Sequence, residues 1–201
     1  MLMKNLHDWF KASLVMVIFL VVLLIVTGCS PDPMVSYARQ LEEKKLIQAF
    51  EELDADINAV DSYFNALFAK DIDDVNTEDI GQVKVYLATI KTKVLDIKAT
   101  ADEIDAGSDE KVREAVSHFN DTIYYLDKLV DEMAKIFDLA DEMIIVYGDV
   151  KNEKISYSAF LSEMDRIDES LDQADNRIKD YSDNMDQSFN KWQAIMDQSF
   201  N

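Results

Sequence analysis

The sequence predicts an all-α protein, built as an elongated, coiled-coil-like, antiparallel up-down-up-down four-helix bundle. In four segments, apolar residues recur at alternating spacings of three and four, which is the pattern of a helix face that packs against neighbours. No segment shows the apolar-polar alternation of a half-buried strand. The 201 residues include only four glycines and two prolines, which favours long helices over structures with many turns.

Four helices are predicted, near residues 34–70, 77–105, 109–147 and 156–201, and each has one apolar seam. The seams are Leu46, Phe50, Leu53, Ile57, Val60, Phe64 and Leu67; then Ile80, Val83, Leu87, Ile90, Val94, Ile97, Ala101 and Ile104; then Val112, Val116, Phe119, Ile123, Leu126, Val130, Met133, Phe137, Ala140, Ile144 and Tyr147; then Phe160, Met164, Ile167, Leu171, Ala174, Ile178, Tyr181 and Met185. The connecting segments are short, so consecutive helices should be antiparallel neighbours whose seams face one another.

The residues between the seams favour turns and helix caps. The expected boundary residues are Asn76 or Thr77 as the cap of the second helix, Gly107 in a left-handed conformation, Ser108 as the cap of the third helix, Gly148 at its end, and Ser156 as the cap of the fourth.

The first 28 residues have the layout of a secretory signal peptide. Two lysines precede an apolar run from Ala12 to Val26, which is interrupted only by Ser13. The run is followed by "VTGC", which ends on Cys29, the one cysteine of the chain. A single cysteine cannot form an internal disulfide, so its thiol is free for another use.

The motif Val26, Thr27, Gly28 and Cys29 resembles the bacterial lipobox. That resemblance implies a thioether from Cys29 to diacylglyceryl, cleavage before Cys29, and residues 29–33 as a lipidated tether. The mature protein would then be lipid-anchored on the extracytoplasmic side of a bacterial cell envelope. An uncleaved anchor is the alternative, since Ala12–Gly28 is close to the shortest length that spans a bilayer.

The whole plan resembles the small helical lipoproteins of bacterial envelopes, in particular the helical cell-wall-binding lipoprotein family. The segments "SHFNDTIYYLDKL" and "RIKDYSDNMDQSFNKW" share the character of that family's helices. The resemblance implies a non-enzymatic module that binds an envelope partner or acts as a spacer. With an uncleaved anchor, the same helices would instead be the extracytoplasmic domain of a membrane-tethered sensor or assembly factor.

The net charge of the chain limits the classes of partner that it can bind. The formal net charge is −20, and cleavage before Cys29 would remove two lysines and one aspartate and leave −21. Such a surface repels nucleic acid and phosphate-rich wall polymers. The expected partners are therefore the membrane, through the lipid anchor, and an unidentified envelope protein or polymer.

No catalytic, cofactor or metal set is expected from the residues. His118 is the one histidine of the mature chain, and we interpret it as a surface residue paired with Glu114, one helical turn away. The stretch that begins at Asp71 does not fit the calcium-binding loop of an EF-hand. That loop needs an acid or amide, a glycine and a glutamate at the positions where this chain has Val75, Asn76 and Gln82. Loose binding of divalent cations by the acidic stretch 71–79 stays open.

The remaining sequence features are a tyrosine pair, a short repeat and an aromatic C-terminal tail, residues 189–201. Of the adjacent Tyr124 and Tyr125, one is expected at the core boundary and the other outside. The repeat "MDQSFN" recurs after eleven residues, so both copies should show nearly the same helix face. The near-neutral tail offers a possible membrane or partner contact through Phe189, Trp192, Ile195, Met196 and Phe200. The alternative is packing of the tail on Met34, Tyr37 and Leu41.

Overall fold

The computed structural model describes residues 32–68 and 77–200, apart from the side chains at 54, 61–62 and 64–68. Within these residues the chain forms five α-helices and no strand, which confirms the all-α class. The helices are α1 (Pro33–Glu43), α2 (Leu46–Phe68), α3 (Thr77–Ala101), α4 (Glu110–Lys151) and α5 (Tyr157–Phe200).

Consecutive long helices pack antiparallel, as the short connecting segments predict. Lys84 of α3 binds Asp138 of α4 at 2.8 Å, whereas Lys91 binds Asp131 at 2.7 Å, so residue numbers rise along α3 as they fall along α4. The same inverse order relates α2 to α3, through Asp56 with Lys93 and Tyr63 with Tyr86, and α4 to α5, through Phe119 with Trp192 and Glu132 with Arg177.

The prediction of one continuous first helix was wrong, because the chain turns at Lys44–Lys45. Lys45 takes a left-handed φ of 55°, and its N–H donates to the Glu42 carbonyl at 2.9 Å. The apolar pattern gives the reason. Leu41 is the last buried residue of α1 and Leu46 the first of α2, a step of five that a continuous helix face cannot accommodate. The turn brings both seams onto the core.

The segment between α3 and α4 differs from the prediction at both ends. Helix α3, the second predicted helix, ends at Ala101 and not near residue 105. Asp109 rather than Ser108 caps α4, because its side chain accepts a hydrogen bond from the Val112 N–H at 3.0 Å. Gly107 does take the expected left-handed conformation, with φ +57°. A contact distant in sequence fixes this segment: the Gln40 side chain donates to the Asp105 carbonyl (3.1 Å) and accepts its N–H (2.9 Å).

The connection between α4 and α5 begins later than predicted. Gly148 lies inside α4, which continues to Lys151, and Glu153 takes the left-handed φ of 59°. Bonds from Lys154 N to the Asp149 carbonyl (2.9 Å) and from Glu153 N to the Val150 carbonyl (3.1 Å) close a Schellman motif there. Ser156 caps α5 as predicted, its Oγ accepting from Ala159 N at 3.2 Å.

The predicted seams form most of the core, and α3 shows this most fully. Every residue of the predicted second seam, from Ile80 to Ile104, is buried. Burial ends toward the α4–α5 turn: Phe137 is the last buried residue of α4 and Ile167 the first of α5. Tyr147, a predicted seam residue, is 38% exposed because it lies beyond that boundary.

Candidate functional site

The predicted lipidation site is not among the described residues. Cys29 and its lipobox, Val26, Thr27 and Gly28, precede residue 32, where the description begins. The element that follows them is α1, which starts at Pro33 with the Asp32 side chain accepting the Met34 N–H at 2.8 Å.

The tail residues of α5 pack on the core, and Trp192 contacts Tyr37, one of the three α1 residues that the alternative named. Trp192 is 2% exposed and Met196 1%, while Phe189, Ile195 and Phe200 are partly buried against the same core. Trp192 Nε1 donates to Tyr37 Oη at 3.0 Å. As packed here, the Trp192 indole has almost no surface to offer a lipid or partner.

Trp192 belongs to a basal aromatic cluster, which consists of Tyr37, Phe50, Phe119, Phe189 and Trp192. The Phe119 ring centroid lies 5.7 Å from those of both Phe50 and Trp192, and Phe189 lies 5.6 Å from Trp192. The cluster joins α1, α2, α4 and α5 at one level. Burial raises the pKa of the Tyr37 hydroxyl far above its usual value, and the hydrogen bond from Trp192 offsets only part of that effect. Tyr37 therefore stays neutral as an acceptor.

The α3–α4 interface is crossed by lysines of α3 that each bind two acids of α4. Lys84 contacts Asp138 and Asp141 at 2.8 and 3.0 Å, and Lys91 contacts Asp127 and Asp131 at 2.6 and 2.7 Å. The hydrogen bond to Asp138, with a further one to Asp141, raises the pKa of Lys84. These lysines are structural links between helices.

One carboxylate that the sequence analysis missed lies in the α4–α5 interface. Glu132 is 4% exposed and binds Lys135 at 2.6 Å and Arg177 at 2.9 Å. Burial alone would raise the pKa of Glu132, but the hydrogen bonds from Lys135 and Arg177 outweigh it, so the pKa is lowered. Its signal in the sequence is weak, because an acid flanked by basic residues looks the same on a solvated face.

The pKa of a second acid, Asp186, is shifted in the opposite direction to that of Glu132. Burial, followed by the nearby charge of Asp183, raises the pKa of Asp186 to about 6. Asp186 Oδ1 is buried and has no hydrogen-bond partner among the described residues. Ionisation of Asp186 is therefore unfavourable in the folded chain, and its carboxyl takes up a proton at a higher pH than an exposed aspartate does.

The side chains that could act in catalysis or bind a metal do not come together among the described residues. His118 Nε2 lies 3.9 Å from Glu114 Oε1, as the predicted pair requires, but the histidine side chain is only 19% exposed rather than on the open surface. Across residues 32–68 and 77–200, no three histidine, cysteine or acidic side chains cluster as metal ligands would. Most of the acidic stretch 71–79 falls in the gap between these ranges.

The expectations for the tyrosine pair and for the repeat are both confirmed. Tyr124 is 47% exposed, whereas Tyr125 packs partly buried on the core. Met185 and Met196, the first residues of the two "MDQSFN" copies, are each 1% exposed and so occupy the same buried face of α5.

Comparison of the chain with protein-family models, with curated proteins and with solved structures gives no match. Among helices α1 to α5, none is both long and apolar enough to cross a membrane.

Proposed function

We propose that this protein is a bacterial lipoprotein, anchored by lipid on Cys29, whose helices form a non-enzymatic module that binds an envelope partner or acts as a spacer. The observation that carries the proposal is the motif "VTGC" at the end of an apolar run, only four residues before α1. Acyl chains contribute about 0.8 kcal/mol per buried CH₂, so an anchor of two or three chains is effectively permanent.

The arrangement of the helices supports a spacer. Four peptide units separate Cys29 from Pro33, a reach of at most about 14 Å, so the lipid would be held close to α1. From the level of the basal aromatic cluster, α4 and α5 extend toward their shared turn, and the 42 residues of α4 span about 60 Å. The turn at residues 152–156 would then face away from the membrane.

The same proposal includes an elongated up-down-up-down bundle of the four long helices α2 to α5, with α1 at its base. Its support is that Phe119 of α4 contacts both Phe50 of α2 and Trp192 of α5, so the first and last long helices meet α4 at one level. The α1–α5 hydrogen bond between Tyr37 and Trp192 joins the ends of the described chain at that base.

An extracytoplasmic sensor or assembly-factor domain with an uncleaved anchor is the second candidate. It is favoured by the length of the apolar run, since Ala12–Gly28 reaches the bottom of the membrane-spanning range. The two candidates differ in mass. A chain starting at Cys29 with added acyl groups fits the first, and a chain that retains Met1 without them fits the second.

The test is the variant Cys29→Ser, with Ser30→Ala as the matched control. We expect Cys29→Ser to remain an unlipidated precursor or to leave the membrane, while Ser30→Ala matures normally. Intact mass and partition into a detergent phase measure both effects. Unchanged mass and unchanged partition of Cys29→Ser would refute the lipid anchor.

A further inference from the structure

Helix α3 has a second seam on its outer face. Val85, Ala88, Thr92, Leu95 and Ala99 form this α3 outer seam; they follow spacings of three, four, three and four, and all five are exposed. Val85 is 59% exposed and Leu95 47%. The inner seam, from Ile80 to Ala101, has the same spacing and is buried. The inner face of α3 therefore has its partners in this chain, whereas the outer face has none among residues 32–68 and 77–200.

Burial of the α3 outer seam in an interface would carry little free-energy cost from the desolvation of polar groups. No residue of the seam is charged, and the Thr92 hydroxyl already donates to the Ala88 carbonyl at 3.0 Å. The neighbouring Thr89 donates in the same way to the Val85 carbonyl at 3.0 Å. Because the hydroxyl protons are used inside the helix, the side chains turn mainly methyl groups outward, and burial leaves no hydroxyl donor unpaired.

Charge singles out the same helix. The chain carries a net charge of −20, so two copies repel over most of their surfaces. Among the five described helices, α3 alone has more basic than acidic residues, with four lysines against Glu78, Asp79 and Asp96. Lys84, Lys91 and Lys93 are paired with acids of α4 and α2, so the surroundings of the seam are not basic. Of the described helices, however, α3 is the one whose own residues add no negative charge to a contact between two copies.

We propose that the α3 outer seam pairs with the α3 outer seam of a second copy, with the two helices parallel. The parallel orientation rests on the proposed function, because two lipid-anchored copies in one membrane have their α1 ends on the same side. In a parallel pair each seam residue meets its own counterpart, so Val85 faces Val85 and Thr92 faces Thr92. Ala88 and Ala99, which are small, let the helices approach closely between the larger Val85 and Leu95.

The size of the contact sets its expected strength. The seam spans fifteen residues, about 21 Å, and a single helix pair of that length lies at the low end of interface sizes, below roughly 1,200 Å² in total. Association in solution is therefore weak. Anchoring both copies in one membrane raises their effective concentration, and the pairing belongs to the membrane-bound form.

The test uses the full chain with the substitution Val85→Cys, expressed in bacteria and treated with a mild oxidant in isolated membranes. The lipid occupies the sulfur of Cys29 in the mature protein, so the new thiol reacts alone. Facing positions of a parallel helix pair bring Cα atoms within the range of about 4.4–6.8 Å that a disulfide spans. We expect a cross-linked dimer, and no dimer from Gln173→Cys, an exposed α5 position that serves as the matched control.

A second substitution checks that the seam itself is responsible. Leu95→Glu, added to Val85→Cys, should abolish the cross-link while the thermal unfolding and helicity of the protein stay unchanged, because Leu95 is exposed in the single chain. A cross-link that survives Leu95→Glu, or one of equal yield at Gln173→Cys, overturns the proposal. So does failure of both Val85→Cys and Thr92→Cys to cross-link in protein of lipidated mass.

Two further outcomes separate this inference from the proposed function. If Val85→Cys and Ala99→Cys each fail alone but the double variant Val85→Cys, Ala99→Cys cross-links, the helices are antiparallel and the parallel arrangement is overturned. If intact mass shows no lipid, the anchor is refuted instead, and pairing is then tested with Val85→Cys in the Cys29→Ser background, in detergent. A dimer there supports the pairing, and its absence at every seam position overturns it.

Discussion

The hydrogen bond between Tyr37 and Trp192 joins two almost fully buried side chains at the base. Tyr37 is 0% exposed and Trp192 2%. A buried donor left without an acceptor costs more than the bond itself contributes. The contact therefore constrains which aromatic residue can stand at either position.

Tyr37→Phe should lower the free energy of unfolding by about 1–3 kcal/mol, because it leaves Trp192 Nε1 buried without an acceptor. Urea denaturation followed by far-UV circular dichroism measures the change. The double variant Tyr37→Phe, Trp192→Phe should lose less than the sum of the two single variants, and Tyr147→Phe, at a 38% exposed position, should have little effect. Additive losses would show that the two side chains do not interact.

Asp186 gives a pH dependence of known sign. Its folded-state pKa of about 6 lies above the ordinary 3.8, so folding favours the protonated acid. The stability this contributes is full below the ordinary pKa and is lost as pH rises through about 6. Asp186→Asn should therefore stabilise the protein more at about pH 8 than at about pH 5.

Urea midpoints at the two pH values measure that difference, and Asp168→Asn is the control, since Asp168 is exposed on the same helix. The control corrects for the general relief of negative charge. An equal gain from both variants at both pH values would contradict a special state of Asp186. The Glu132 site has the opposite sign, because its lowered pKa contributes stability that is lost on acidification.

At the scale of the helices, the periodicity of apolar residues predicted the buried helix faces, which depend on local sequence. It missed a helix end that depends on a contact with a residue distant in sequence. The buried faces of α3 and α4 follow from the three-four spacing alone. The sequence also contains a signal for the turn at Lys44–Lys45, which is the step of five from Leu41 to Leu46. This signal is recognised only when the apolar residues before and after the turn are compared. The end of α3 depends on Gln40, which is 65 residues from Asp105, and no local pattern contains that contact.

The third seam gives the sharpest test of the helix faces, because Ile123 and Tyr124 are adjacent with opposite exposure, 1% and 47%. Ile123→Asp should destabilise the fold by about 3 kcal/mol or more, since it places an unpaired charge in the core. Tyr124→Asp should cost far less. Thermal unfolding by circular dichroism compares them, and similar losses from both variants would show that the α4 face is assigned wrongly.

At the scale of the whole molecule, the sequence predicted the class, the order of the long helices and the antiparallel packing of neighbours. It missed the outer seam of α3, because a helix with two apolar faces looks like one whose inner face is merely broad. The tail illustrates a different limit. Trp192 suits a membrane interface and a core equally well by composition, and only the position of α1 decides between them.

The long separation between the partners of α1 has a consequence for the order of events during synthesis. Tyr37 is made 155 residues before Trp192. The α3–α4 segment that Gln40 holds comes 65 residues later than Gln40 itself. Of the described helices α1 is translated first, and its hydrogen bond to Trp192 cannot form until α5 exists, while α3 and α4 can associate with near neighbours as they emerge. The described helix that is translated first thus gains its contact with Trp192 only when the chain is nearly complete.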